Sequence, residues 1–331
     1  MHIQEIQYKK IAFKALDWGL GHVTRSLSVL KQLLDQKNEL IIFGTKKQIE
    51  IYLSYKIEAR FIKIQEIDWK FSGSGNKLTE GFQVAKAVLK KKKQSNGELE
   101  DFLVTNEIDF VISDHDYGFY SLGIPSIFMT HQLNLPESTP WIAQRVHKSW
   151  LKSFAFFWIV DEEKERLAGK LSELNHDLRK NLNYQYIGLR SRYSIVEMPN
   201  ESEIPILIII SGPKPYSTQF LETLLTEIKK TNEIVPVVCP KELQIEDNQL
   251  KYASSNSEAD KWFLSAKLIV SRSGYSTLMD CKLKNKKGLF LATKGQLEQV
   301  YLASKINVSN WNLFSDSEVF SQKFNEHLSE I

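Results

Sequence analysis

The sequence predicts an α/β protein made of two doubly wound parallel sheets facing each other across a cleft. Three observations predict it. Short runs of Ile, Val and Phe alternate with segments of helical period, the pattern of strands joined by crossover helices. The runs are apolar almost throughout, as parallel strands covered on both faces require. The alternation then starts again near residue 206, so that a second array follows the first. A chain of 331 residues has the length for about two domains.

In the first array, strands are expected over residues 11–16, 39–43, 60–64, 110–113 and 126–129. Each is a short apolar run that stops at a polar or Gly-bearing turn. Helices are expected over 23–34, 47–55, 81–89 and 98–105, where apolar residues recur every three or four positions. In the second array the expected strands are 206–210, 234–238, 267–270 and 288–291, and the expected helices 218–230, 257–265 and 276–283. The joint falls between 184 and 205, where Gly188, Ser191, Ser194 and Pro199 break any period. This gives domains 1–190 and 191–331, with the last helix free to pack back on the first.

Composition narrows the function. Hydrophobic residues at 42% and aromatics at 11% exclude disorder as the main state. A formal net charge of +3 is too weak for a nucleic-acid binder. Two cysteines, Cys239 and Cys281, form neither a disulfide framework nor a metal-type pair. The longest apolar runs, 154–160 and 204–210, fall well short of the roughly 20 residues a membrane span needs. The opening Met1-His2-Ile3-Gln4-Glu5 has no signal-peptide core. A cytoplasmic protein, soluble or peripheral, is the expectation.

In doubly wound sheets ligands bind at the C-terminal ends of strands, so chemistry is expected in four loops. Asp17-Trp18-Gly19-Leu20-Gly21-His22 follows the first strand. Gly19 and Gly21 let backbone approach a ligand, and His22 has a pKa suited to general-base work. Thr24 occupies the third glycine position of the dinucleotide fingerprint, which disfavours a dehydrogenase. Ser271-Arg272-Ser273-Gly274-Tyr275-Ser276-Thr277 opens a helix whose amides, with a hydroxyl of Ser276 or Thr277, would hold a diphosphate. Arg272 would add a charge-assisted contact. Asp280, Glu298 and Gln299 are groups that bond sugar hydroxyls. Ser211-Gly212-Pro213-Lys214 is a small-residue turn at the first strand end of the second array. Asp114-His115-Asp116 and Thr130-His131-Gln132 end two further strands; the carboxylates would bond a substrate hydroxyl, cap a helix or, less favoured, hold a divalent ion. Each loop also has a purely structural reading as a capped turn. The basic run Lys90-Lys91-Lys92-Lys93 with Lys86 is either a solvated helix end or a contact for anionic headgroups. Trp141, Trp150 and Trp158 with Arg145, Lys148 and Lys152 would extend such a surface, or pack in the core.

Together these segments resemble the GT-B glycosyltransferases, closest to the family 28 type that includes the N-acetylglucosaminyl transferase of peptidoglycan synthesis. Gly19-Leu20-Gly21-His22-Val23-Thr24-Arg25-Ser26 resembles the amino-terminal loop, and Ser271-Arg272-Ser273-Gly274-Tyr275-Ser276-Thr277 the donor loop. Asp280 stands where the family has a ribose-binding Glu, and Gln299 where a Gln contacts the donor sugar. The resemblance implies two Rossmann-like domains and transfer of a sugar from a nucleotide-diphosphate donor, a UDP-sugar, to an unknown acceptor. By the same resemblance the anomeric centre inverts and neither cofactor nor metal is needed. It implies His22, aided by Asp114 or Asp116, as the catalytic base. Gly19, Gly21, His131, Gln132, Gly212, Arg272, Ser273, Gly274, Ser276, Thr277, Asp280, Glu298 and Gln299 would bind substrates. A nucleotide-sugar-binding protein without transferase chemistry, or a nucleotide-sugar epimerase, is the alternative.

Overall fold

The computed structural model describes residues 1–17, 21–66, 96–174, 179–180, 182–197 and 203–330. The expected helix over 81–89, Gly19 and the lysines Lys86, Lys90, Lys91, Lys92 and Lys93 lie outside them. Contacts divide the chain into two units whose boundary in the sequence falls between Arg192 and Tyr193.

The first unit is built on a seven-stranded sheet. Its strands are β1 (Lys10–Ala15), β2 (Glu39–Gly44), β3 (Arg60–Lys63), β4 (Phe110–Asp114), β5 (Ser126–Thr130), β6 (Phe156–Ile159) and β7 (Asn183–Tyr186). Their order is β3-β2-β1-β4-β5-β6-β7, parallel at every pairing. Helices α1 (Gly21–Asp35), α2 (Lys46–Ser54), α3 (Asn96–Thr105) and α4 (Trp141–Leu151) accompany it. The inner strands are buried over most of their length, which is why they read as continuous apolar runs rather than alternating ones. Thr45 caps α2 by accepting from Gln48 N–H, and the Gln48 side chain returns the bond to the Thr45 amide.

The second unit holds β8 (Ile204–Ile209), β9 (Val235–Val238), β10 (Leu250–Tyr252), β11 (Ala266–Arg272), β12 (Lys287–Leu291) and β13 (Trp311–Phe314) in the order β10-β9-β8-β11-β12-β13, again parallel. Helices α5 (Tyr216–Ile228), α6 (Asn256–Ser265), α7 (Tyr275–Leu283), α8 (Leu297–Lys305) and α9 (Ser317–Leu328) complete it. One core gathers Ile206, Ile208, Phe220, Leu224, Val270 and Leu289 with Phe320, Phe324 and Leu328 of α9. The closing helix, expected free to return to the first half, thus packs its apolar face into the second.

Other differences from the sequence reading have plain causes. Residues 141–151, which lie outside every expected element, form α4: Pro140 starts the helix, and His147 and Leu151 bury one side of it. The run at 154–160 contains β6. Strands β7, β10 and β13 are edge strands of three or four residues, too short to announce themselves as hydrophobic runs. Trp158 is fully buried in β6 and is no part of a surface with Trp141, which is 70% exposed. No described helix is long and apolar enough to cross a membrane.

Candidate active site

Each sheet has one place where the chain leaves two neighbouring strands in opposite directions, β1 beside β4 in the first and β8 beside β11 in the second. There the loops diverge and leave a crevice for ligand.

At the first switch point the last residues of the two strands, Ala15 and Asp114, are register partners. α1 starts six residues after β1, so its first turn lies over the end of β4. His22 and Arg25, three apart on α1, share a face, and both turn onto Asp114. The Asp114 carboxylate is fully buried and takes Arg25 Nε at 3.0 Å, a short second bond from Arg25 Nη2, and His22 Nδ1–H at 3.1 Å. A carboxylate can only accept, so the His22 ring proton sits on Nδ1 and the Nε2 lone pair is left over. The His22 side chain is 16% exposed, and among the described residues Nε2 has no protein partner.

Electrostatics keeps this arrangement in a base-ready state. Burial pushes the His22 imidazole below its ordinary 6.5, Arg25 adds to the effect, and Asp114 opposes it. Burial alone would raise the Asp114 carboxyl, but Arg25 and His22 outweigh it and hold the group below its ordinary value. His22 is therefore neutral and Asp114 ionised at neutral pH.

Around this pair lies a polar network that the sequence reading only partly anticipated. Arg25 Nη1 donates to His131 Nδ1 at 2.8 Å, which engages the buried His131 in holding the guanidinium. Asp116 takes Lys14 Nζ at 2.7 Å and the Gly118 N–H at 3.0 Å. Its carboxylate is thus matched to a buried lysine rather than presented as a second base. Gln132 is buried, its amide donating to Thr130 Oγ1. Gly21, at the first position of α1, is half-buried. Arg25 and Lys14 were missed. Their signals were present: a cation three residues from His22 on a predicted helix, and a lysine inside an apolar strand. Neither is affordable in a core without a buried partner.

At the second switch point, β11 ends on Arg272. Its Nη1 donates to Ala292 O at 3.2 Å and Nη2 to Tyr216 O at 3.4 Å, while the guanidinium lies 4.4 Å from the Phe220 ring centre. Nε is buried with no partner among the described residues, and the Ser217 hydroxyl, one residue beyond Tyr216, is likewise unpartnered. Burial lowers the Arg272 pKa to about 10, which leaves it charged at neutral pH. A largely buried cation whose hydrogen bonds go, among the described residues, to carbonyls alone is a site that favours an anion.

The neighbouring loops frame it. Gly274 precedes α7, and a Cβ there would reach only Gln299 Nε2, at 3.9 Å. Ser273 donates to Gln299 O at 3.2 Å, and Gln299 Oε1 accepts from Thr293 N–H at 2.9 Å, tying the loop after β12 to the loop after β11. Ser276, Thr277 and Glu298 are half-buried, and Asp280 is buried within α7. Gly212 has φ +95 with nothing within 4 Å of a Cβ, so backbone conformation, not crowding, demands the glycine. Among the described residues, no group of three or more His, Cys, Asp or Glu side chains is placed to hold a metal ion.

Known proteins share this architecture. The structure of a spinosyn rhamnosyltransferase complexed with thymidine diphosphate superposes with a TM-score of 0.66 at 10% identity, covering 97% of this chain and 91% of that one. The glycotransferase of kitacinnamycin gives 0.64 at 10% identity, over 98% and 91%. Acinetobacter baumannii MurG gives 0.52 at 16% identity, over 97% and 93%. The fold is GT-B. In sequence, the GT-B chain is 24% identical over 289 residues to the UDP-N-acetylglucosamine–N-acetylmuramyl-(pentapeptide) pyrophosphoryl-undecaprenol N-acetylglucosamine transferase of Shouchella clausii (strain KSM-K16), covering 82% of this chain and 75% of the relative. No family model matches. Fold and sequence likeness together make the chain a glycosyltransferase of GT-B type.

Proposed function

We propose that this GT-B enzyme moves a sugar from a nucleoside-diphosphate donor, a UDP-sugar, to an acceptor hydroxyl, with inversion at the anomeric carbon. The observation that carries the reading is His22, held by a buried carboxylate in the tautomer that leaves Nε2 as a base. His22 Nε2 takes the proton of the acceptor hydroxyl and Asp114 stabilises the imidazolium that forms. The acceptor oxygen then bonds to the anomeric carbon as the bond from that carbon to the diphosphate breaks. Negative charge grows on the leaving diphosphate, where Arg272 and the first amides of α7 meet it. The uncompensated charge of Arg272 supports that assignment.

The first half thus handles acceptor and the second donor. Gly19, Gly21, His131 and Gln132 belong to the acceptor side, with His131 acting through Arg25. Gly212, Ser273, Gly274, Ser276, Thr277, Asp280, Glu298 and Gln299 belong to the donor side. Asp116 serves as the partner of Lys14 rather than as a base. The reaction is read as metal-independent, because Asp114 and Asp116 are already engaged by Arg25 and Lys14. Likeness to the curated relative supports UDP as the nucleotide and a cell-envelope glycoconjugate as the product; the proposal puts the reaction in the cytoplasm, with Lys86 and Lys90–Lys93 meeting anionic headgroups.

Turnover tests this. With a nucleotide sugar chosen from a thermal-shift panel, transfer and donor hydrolysis are measured for wild type and His22→Ala. The variant should lose at least about a hundredfold in turnover while retaining donor binding. Unchanged turnover removes His22 from the mechanism, and binding without any turnover in the wild type favours a non-catalytic nucleotide-sugar binder.

A further inference from the structure

His115 lies beside the base and has no place in the mechanism above. Its backbone sits in the left-handed region at φ +61, a conformation uncommon for a non-glycine residue. Its ring lies 5.6 Å from the His22 ring, centre to centre, with a 33° tilt. It also packs 5.4 Å from Tyr117 and 6.1 Å from His131.

The tautomer follows from Thr130. The Thr130 hydroxyl oxygen accepts from the Gln132 N–H at 2.9 Å, and Thr130 Oγ1 lies 2.7 Å from His115 Nδ1. Thr130 is fully buried, and among the described residues its hydroxyl hydrogen has no acceptor other than Nδ1, so it is directed there and the ring proton of a neutral His115 lies on Nε2. Burial, with the neighbouring His22, His131 and Arg25 side chains adding to it, keeps the imidazole well below 6.5 and so neutral. Nε2 has no partner among the described residues, and the side chain is only partly buried. Two neutral imidazoles thus stand side by side, one offering a lone pair and the other an N–H.

We propose that His115 is a second acceptor-binding residue, its Nε2–H holding the hydroxyl next to the one His22 deprotonates, so that the acceptor presents a vicinal diol, as a sugar or polyol does. The inference rests on reading the first half as the acceptor site. On this reading the two imidazoles take the two oxygens of a diol: one loses its proton to His22, and its neighbour accepts from His115. A lone alcohol uses half the pair.

Nitrogen NMR of the histidine rings in the full chain tests it, with trans-1,2-cyclohexanediol and cyclohexanol as probes. The diol should shift both His22 and His115 and bind about fivefold or more tightly than cyclohexanol, the worth of one added hydrogen bond. His115→Asn tolerates the left-handed backbone and keeps an atom toward Thr130 but none at Nε2, so it should lose the preference. His115→Gln puts an NH2 group near Nε2 and should restore it, which a merely structural role would not require. Equal binding of the two probes with His115 unmoved, or a preference surviving in His115→Asn, overturns the proposal while leaving the His22 site standing. If neither probe moves His22, the acceptor reading of the first half falls, and this inference with it.

Discussion

As the proposed base, His22 owes its neutral state to what surrounds it, and pH reports on that directly. The folded environment holds its imidazole below 6.5, burial being the main cause. A base must be unprotonated, so kcat/KM should fall on the acid side with an apparent pKa below 6.5 and stay level from there through neutral pH. An acid limb centred above 6.5 would contradict the assignment. His22 was legible in the sequence because Gly-Gly-His between a strand and a helix is a local pattern. Asp114 was legible as a strand-end carboxylate. Their bond, and the Arg25 clamp beneath it, were not, because they join positions 92 and 89 residues apart in sequence. Asp116 shows the same limit from the other side. It reads as a twin of Asp114, and only the sheet reveals that Lys14, on the neighbouring strand, takes its carboxylate.

Helix α9 shows how an element far from the chemistry supports it. Phe320 is fully buried and packs 5.8 Å from Phe220, the ring over which the Arg272 guanidinium lies. Phe320→Ala should cost about 3–5 kcal/mol of stability, measured by urea denaturation, and weaken nucleotide binding beyond what unfolding explains. A loss below about 1 kcal/mol would mean that α9 does not close this core. The central strands were legible because burial on both faces leaves them continuously apolar. Strand β7, Asn-Tyr-Gln-Tyr, was not, because an edge strand has only one neighbour and need not be apolar. The α4 segment has helical spacing, with Ile142, Val146 and Trp150 four apart, and yet lies outside every element expected from the sequence.

The charge design of the whole chain has a consequence for folding. Burial depresses the pKa of His22, His115 and His147 in the folded state. Below about 6.5 the unfolded chain binds protons that the folded chain refuses, so stability falls as pH falls through that range. Asp114, depressed as well, adds a further loss at lower pH, below its ordinary 3.8. The urea midpoint should therefore drop between pH 7.5 and 5.5, and a flat or rising midpoint would contradict buried neutral histidines. The repeated αβ alternation made the two-sheet architecture legible from 331 residues alone, because each crossover must bury both faces of its sheet. Donor and acceptor identity were not legible, since side chains gathered from many loops shape those pockets. The central claim is that Arg272 awaits a diphosphate, and calorimetric titration of UDP into wild type and Arg272→Ala tests it most directly. The account predicts binding in the wild type, weakened about tenfold or more in the variant as a charged hydrogen-bond donor is lost; equal affinity in two folded proteins would contradict it.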